Sequence, residues 1–155
     1  MHIQSLELKI PPPLVAALIA IAMWGLSIIV PTLELPTQYR VAAAIAIALV
    51  GGAFSIAGVL SFRRARTSVS PMKPELASTL VSSGIYHITR NPMYVGMSFV
   101  LVAWAVFLAA PWLLLGPLVF CFYIGSFQIA PEEKALSKIF GAEYAAYKAR
   151  VRRWL

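Results

Sequence analysis

The chain has 155 residues, of which 60% are hydrophobic and only 12% are charged, with a net charge of +7. A soluble domain carries about 25% charged residues, so this composition argues against a soluble globular protein. The chain has no aspartate, two histidines and one cysteine, Cys121, so carboxylate pairs are scarce. We expect no metal centre and no disulfide within the chain.

Three long stretches carry no charge, at 10–33, 41–62 and 91–131. A helix needs about 20 apolar residues to cross the ~30 Å hydrocarbon core, and the third stretch would make a helix of about 60 Å. The third stretch therefore predicts two spans joined by a tight turn at Pro111. The fold class is all-α, an integral membrane protein with a single membrane domain over 1–155 and four transmembrane helices. We place these helices at 14–33, 41–62, 93–110 and 112–130.

A soluble protein or a signal peptide would account less well for the apolar stretches. Buried helices of a soluble protein rarely exceed 10–14 apolar residues. A cleaved signal peptide in the first stretch is disfavoured because the apolar run is too long and no A-x-A site closes it.

The basic residues are concentrated in two segments, 63–92 and 131–155. The loop at 32–39 has only Glu34, and the turn near Pro111 has no charge. The positive-inside rule then places both termini and both basic segments in the cytoplasm. A nucleic acid could also attract such charge, but orientation explains it more simply. We expect a multi-pass protein of a prokaryotic cytoplasmic membrane, in contact with membrane lipids and with no nucleic-acid partner.

The second span has small residues at a spacing of four, Ala44, Ala48 and Gly52, which predicts a packing face. The tail after the fourth span repeats apolar residues every three or four positions, which is typical of an amphipathic cytoplasmic helix at a membrane surface. A break is expected at Gly141. A surface anchor with no other role remains an alternative. The repeated residues are Leu136, Phe140, Tyr144, Tyr147, Val151 and Trp154.

Polar residues are found at both cytoplasmic ends of the predicted hairpin of spans three and four. The hairpin should bring Arg90 and Glu132 to a similar depth. Charged groups at that depth are costly unless they are paired or functional. The two residues therefore predict either an Arg90–Glu132 ion pair that closes the bundle or a functional site.

The residues around Arg90 carry a family resemblance. Gly84-Ile85-Tyr86, followed by Arg90-Asn91-Pro92-Met93-Tyr94-Val95-Gly96, resembles the G-x-Y and R-[HN]-P-x-Y-x-G signature of the isoprenylcysteine carboxyl methyltransferase family. Glu132-Glu133 and the run from Phe140-Gly141 to Arg153-Trp154 resemble the closing motifs of the same family. Related motifs occur in phospholipid methyltransferases and in sterol reductases. The resemblance covers about residues 78–155.

The resemblance implies a site for S-adenosylmethionine. Glu132 would accept hydrogen bonds from the cofactor, and Arg90 would hold its carboxylate. The catalytic residue is not identified; Arg90, His87 and Glu133 are candidates, although His87 is more simply an interfacial side chain. The implied cofactor-binding residues are Ser78, Thr79, Leu80, Val81, Gly84, Tyr86, Arg90, Asn91, Pro92, Met93, Tyr94 and Glu132.

The resemblance further implies methyl transfer to a lipophilic small-molecule substrate that enters from the bilayer. Relatives that act on prenylcysteine have an arginine at the position of Gln128, which here would bind substrate by hydrogen bonds alone. This departure argues against carboxyl methylation of a prenylated cysteine, and the acceptor atom stays open. The alternatives are a relative of the NADPH-dependent sterol reductases and a non-catalytic membrane scaffold.

Overall fold

A computed structural model describes residues 8–65 and 78–155, and this part of the chain is helical with no strand. The helical class predicted from the sequence is therefore confirmed for these residues. Arg66, Pro71, Lys73 and Pro74, all in the predicted 63–92 segment, lie outside the described residues. The helices are α1 (Pro12–Leu26), α2 (Thr37–Arg64), α3 (Pro92–Phe107), α4 (Leu115–Ile124) and α5 (Ala130–Arg150).

Three shorter elements complete the described chain. A 3-10 helix, Gly84–His87, precedes α3, and a second, Pro111–Leu114, leads into α4. A π-helical turn, Gly125–Ile129, joins α4 to α5. Proline begins both α1 and α3, where its missing N–H has no helical partner to lose.

Four transmembrane spans are not confirmed. Two helical segments are long and apolar enough to cross a membrane, Thr37–Arg64 and the continuous run Pro111–Arg150. The other two apolar helices, α1 and α3, have 15 and 16 residues. At about 1.5 Å per residue they measure about 23 Å, which is shorter than the ~30 Å hydrocarbon core.

The outer faces of the helices are apolar. Ile28 is 77% exposed, Phe122 74% and Leu49 69%, and other large hydrophobic side chains of α1, α2 and α4 are also exposed. Monomeric soluble proteins rarely expose apolar surface on this scale. The exposed faces are suited to lipid and, with the two long apolar helices, indicate a membrane protein.

The predicted turn at Pro111 is present. The backbone N–H of Leu33, in the α1–α2 connection, donates to the carbonyl of Ala109 at 2.7 Å. The two connections therefore meet at the same end of the bundle. Arg90 lies just before α3, and Glu132 lies in the first turn of α5. Both residues are therefore at the other end of the hairpin, away from the Pro111 turn.

The α2–α3 interface is built from small residues, as the sequence predicted, but Gly52 is not one of them. A Cβ on Gly96 would meet the Ser55 hydroxyl and the Gly51 carbonyl, so only glycine fits between the two helices. Ala44 is buried as expected, whereas a Cβ on Gly52 would meet no atom of the described residues within 4 Å. The prediction for Gly52 is wrong because the contact face is rotated toward Gly51, Ser55 and Gly58.

The helix from α4 into α5 is continuous but irregular at two places. Pro131 has no N–H for the carbonyl of Phe127, four residues earlier. The backbone N–H of Leu8 donates to that carbonyl at 3.1 Å, and the π-helical turn lies at the same place. The break expected at Gly141 is confirmed, since Gly141 has φ 46° and ψ −117° inside α5.

The aromatic face of α5 packs on protein. Tyr144, Tyr147 and Val151 form a buried cluster with Val81 and Tyr86. This corrects the prediction that the apolar face rests on the membrane surface, because the segment before α3 covers it.

Candidate functional site

The hairpin brings the start of α3 against the start of α5, where polar side chains meet. We call this group the polar layer: Thr89, Arg90, Asn91, Tyr94, Gln128, Glu132, Glu133 and Arg153. The Tyr94 hydroxyl donates to Glu132 Oε1 at 2.6 Å, and Gln128 Nε2 donates to the same oxygen at 2.5 Å. Gln128 is only 2% exposed, so its amide is directed at the carboxylate from inside the protein.

Glu133, rather than Glu132, pairs with Arg90. Arg90 Nη2 donates to Glu133 Oε1 at 2.8 Å, and Arg153 Nη2 donates to Glu133 Oε2 at 2.6 Å. The Glu133 side chain is 11% exposed, and that of Arg90 is 10% exposed. The predicted Arg90–Glu132 ion pair is therefore wrong, and the two adjacent glutamates have different partners.

The residues before α3 are bound to the end of the chain by backbone contacts. The Arg90 N–H donates to the Arg152 carbonyl at 3.0 Å. Thr89 Oγ1 and Asn91 Nδ2 both donate to the Arg153 carbonyl, at 3.2 Å and 2.8 Å. The side chain of Asn91 is thus engaged by the chain itself.

In the described part of the chain, one buried nitrogen of the Arg90 side chain is left without a partner. Its Nε is buried and has no hydrogen-bond acceptor among the residues that the structure describes. A buried donor without an acceptor is costly, and a guanidinium is well suited to a carboxylate. The residues present therefore fit a ligand that brings a carboxylate to Arg90, as S-adenosylmethionine would.

Tyr86 lies next to the polar layer. Its ring packs edge-on against Phe62 at 5.5 Å, and its carbonyl accepts a hydrogen bond from the Tyr147 hydroxyl at 2.8 Å. Burial raises the pKa of the Tyr86 phenol far above its usual value, and the nearby Tyr147 and Glu132 raise it further. The phenol therefore stays protonated and can act as a hydrogen-bond donor.

Several other predicted site residues are exposed or half-buried. His87, Ser78 and Thr79 are exposed. Leu80 is half-buried and packs against the aromatic cluster that contains Val81. These positions remain predictions as cofactor contacts.

Pro92, Met93 and Gly84 contact α2. A Cβ on Gly58 would meet Met93 Cγ at 2.8 Å and Pro92 Cγ at 3.2 Å, so both side chains pack on that helix. Gly84 has φ +62°, which allows the tight turn before Tyr86, and a Cβ there would lie 3.2 Å from Ser61 Oγ.

Sequence reasoning missed two members of the polar layer. Thr89 is fully buried and gave no signal in the sequence, because a lone threonine has no motif. Arg153 belongs to the closing motif, but the motif by itself predicts no partner for it. Its pairing with Glu133 spans 20 positions, so only the fold shows it.

An apolar groove of about 350 Å³ lies beside the polar layer. It runs between α3, α4 and the end of the chain. Ser98, whose hydroxyl donates to the Tyr94 carbonyl at 2.9 Å, connects the groove to the polar layer. The other lining residues are Val95, Phe99, Val102, Cys121, Trp154 and Leu155.

These features describe a helical protein with apolar outer faces, a polar, partly charged site at one end of a helical hairpin and an apolar groove beside it. A model of the phospholipid methyltransferase family matches residues 39–143, which include most of α2, all of α3 and α4, and most of the polar layer. The chain belongs to the phospholipid methyltransferase family, and the predicted family is confirmed.

Two relatives have a stated activity. The chain is 38% identical over 85 residues to protein-S-isoprenylcysteine O-methyltransferase of Saccharomyces cerevisiae, covering 51% of this chain and 33% of the relative. It is 37% identical over 73 residues to the Xenopus laevis enzyme of the same name, covering 47% of this chain and 25% of the relative. The match therefore spans a third or less of the length of these two enzymes.

A third relative is an uncharacterized protein of Haemophilus influenzae. It is 44% identical over 63 residues, which is 41% of this chain and 100% of that protein. No solved structure matches the chain.

Proposed function

We propose that this protein is an S-adenosylmethionine-dependent methyltransferase that acts on a lipophilic acceptor taken from the bilayer. Family membership supports the reaction class, since the two relatives with a stated activity are methyltransferases. The observation that carries the proposal is the meeting of the two motifs in the polar layer. Tyr94 bonds Glu132 at 2.6 Å, and Arg90 bonds Glu133 at 2.8 Å.

The polar layer offers both kinds of contact that the cofactor needs. Arg90 Nε would donate to the carboxylate of the methionine part. Glu132, fixed by Tyr94 and Gln128, would accept hydrogen bonds from the ribose hydroxyls or the methionine amine. When bound, S-adenosylmethionine would supply a methyl group already activated by its sulfonium.

The protein's own contribution would then be positioning. Aligned reactants can gain about 7–11 kcal/mol from orientation at best. Tyr94, Gln128 and Arg90 are held by hydrogen bonds to neighbouring side chains, so little reorganisation is needed on binding. A dedicated base is not required where the acceptor is already an anion.

The apolar groove supports a lipophilic acceptor. Its walls are mostly apolar side chains of α3 and of the end of the chain, and Ser98 bonds the Tyr94 carbonyl one turn away. An apolar chain of the acceptor would lie in this groove with its reactive group toward the polar layer. Gln128 is neutral and bonded to Glu132, which favours an acceptor other than a free carboxylate at that position.

Calorimetric titration of the purified full chain in lipid nanodiscs tests the cofactor assignment. S-adenosylmethionine should bind, NADPH should not, and Tyr94→Phe should weaken binding because Glu132 loses its hydroxyl donor. Glu34→Gln, in an exposed loop, is the matched control and should bind as the natural protein does. NADPH binding in preference to S-adenosylmethionine would favour the reductase alternative.

Methyl transfer itself needs a separate assay. The nanodisc protein is incubated with S-adenosylmethionine labelled in the methyl group and a total lipid extract, and labelled products are identified by mass spectrometry. A labelled lipid that depends on the protein supports the proposal. Cofactor binding with no labelled product from any lipid extract would contradict the lipophilic acceptor.

A further inference from the structure

The residues just before α3, Thr89 to Asn91, are hydrogen-bonded to the end of the chain. We infer that Arg153 is a positioning residue that orients Arg90 through Glu133. This inference rests on the proposed function, because it assigns Arg153 a role in S-adenosylmethionine affinity. Arg153 belongs to the closing motif, but the resemblance assigns it no role, and it lies more than 60 positions from Arg90 in the chain.

The first support is the shared carboxylate. Glu133 Oε1 accepts from both Arg90 Nη2 at 2.8 Å and Arg153 Nε at 3.2 Å. Glu133 Oε2 accepts a second bond from Arg153 Nη2 at 2.6 Å. Arg153 thus donates two hydrogen bonds to Glu133. This two-donor geometry fixes the plane of the carboxylate, and the fixed carboxylate in turn sets the direction of its bond to Arg90.

The second support is the backbone attachment. Three consecutive residues before α3 bond to two consecutive carbonyls, those of Arg152 and Arg153. The segment that carries Arg153 is itself anchored on both sides. Val151 is buried in the cluster with Tyr144 and Tyr147, and Trp154 packs against a second buried cluster, which includes Tyr94.

The exposure pattern separates positioning from cofactor contact. Arg90 is 10% exposed and keeps a buried, unpartnered Nε, whereas the Arg153 side chain is 41% exposed and donates two bonds to Glu133. With Glu133 occupying Nη2, the guanidinium of Arg90 is fixed with Nε left for a ligand. Without Arg153, the Glu133 carboxylate could rotate, and the Arg90 guanidinium, which is bonded to it, would move as well.

The matched control is the neighbouring arginine. Arg152 contributes its backbone carbonyl to Arg90, but its side chain is exposed. Replacing either arginine by alanine removes one positive charge from the same segment. Only Arg153→Ala removes the two hydrogen bonds to Glu133. The two variants together therefore separate the loss of positioning from the loss of one positive charge.

The test is calorimetric titration with S-adenosylmethionine of the full chain in nanodiscs. Arg153→Ala and Glu133→Gln should each weaken affinity about tenfold, as expected for lost hydrogen bonds to a charged group. The double variant should be no weaker than the more affected single one, because both changes break one connection. Arg153→Lys, which keeps the charge but not the two-donor geometry, should recover part of the affinity. Arg152→Ala should leave it unchanged.

Three results would overturn the inference. Positioning through Glu133 is excluded if Arg153→Ala binds S-adenosylmethionine as tightly as the natural protein does. It is also excluded if the losses of affinity add up in the double variant, or if Arg152→Ala and Arg153→Ala lose equal affinity. If Arg153→Ala does not fold, Arg153→Lys is compared with Arg152→Lys. A loss of affinity in Arg153→Lys alone supports the inference, and equal affinities in the two lysine variants overturn it. Absence of binding by the natural protein would instead refute the proposed function. Binding by the natural protein that is weakened by Tyr94→Phe but not by Arg153→Ala refutes this inference alone.

Discussion

The α2–α3 interface and the polar layer are held together by opposite means. At the interface, Gly51 and Gly96 let two backbones approach so closely that a single methyl group would collide. In the polar layer, Glu132 and Glu133 are held by hydrogen bonds to residues 20 to 43 positions away along the chain, in addition to the local bond from Gln128. The first region is specified by shape and the second by charge and direction. Substitutions should therefore cost stability in the first and ligand affinity in the second.

The largest effect is expected from Gly96→Val. The added side chain would collide with the Ser55 hydroxyl and the Gly51 carbonyl, and overpacking of this kind costs about 1–3 kcal/mol, with larger losses where backbone atoms collide. Thermal unfolding in nanodiscs should show a large loss of stability. Gly52→Ala is the control, since a Cβ there meets no atom of the described residues within 4 Å and alanine favours a helix. Equal losses in both variants would contradict the assigned interface.

The next effect is on affinity. Glu132→Gln should weaken S-adenosylmethionine binding by about 1.5–3 kcal/mol, because the hydrogen bonds to a charged acceptor are lost. The unfolding temperature should stay the same or rise, since a buried charge is removed while the amide oxygen can still accept from Tyr94. Affinity comes from calorimetry and stability from thermal unfolding of the same sample. A fall in the unfolding temperature with unchanged affinity would show that Glu132 serves stability and not ligand binding.

A smaller effect is expected at the far end of α3. Trp104 Nε1 donates to the Ala20 carbonyl at 3.0 Å, which ties α3 to α1. Trp104→Phe should cost about 1 kcal/mol of stability for the lost bond. Cofactor affinity should not change, because this contact lies outside the polar layer. A loss of affinity comparable to that of Glu132→Gln would show that the two regions are not separable.

The smallest effect is expected from His87→Ala. The His87 side chain is exposed at the end of the 3-10 helix, although the sequence made it a candidate base. The rate of methyl transfer should stay within about twofold of the natural protein, and its pH profile should not shift, since general-base catalysis contributes about 100-fold or more. A large loss of rate with unchanged cofactor affinity would instead identify His87 as the base.

The sequence alone determined the helical class, the turn at Pro111 and the break at Gly141. These features depend on local chemistry: apolar stretches, a residue without an N–H and a residue that tolerates positive φ. The sequence also placed Arg90 and the two glutamates at one end of a hairpin, because a short turn leaves no other arrangement.

Only the tertiary structure decided which glutamate faces which partner. Adjacent helical residues differ by about 100° in direction, so the choice depends on the exact rotation of the helix. The π-helical turn Gly125–Ile129 changes that rotation just before Glu132, and no periodicity in the sequence announces it. Helix rotation also decides that Gly51, and not Gly52, meets α3. The role of Arg153 depends on a contact between distant segments, which only the folded chain brings together.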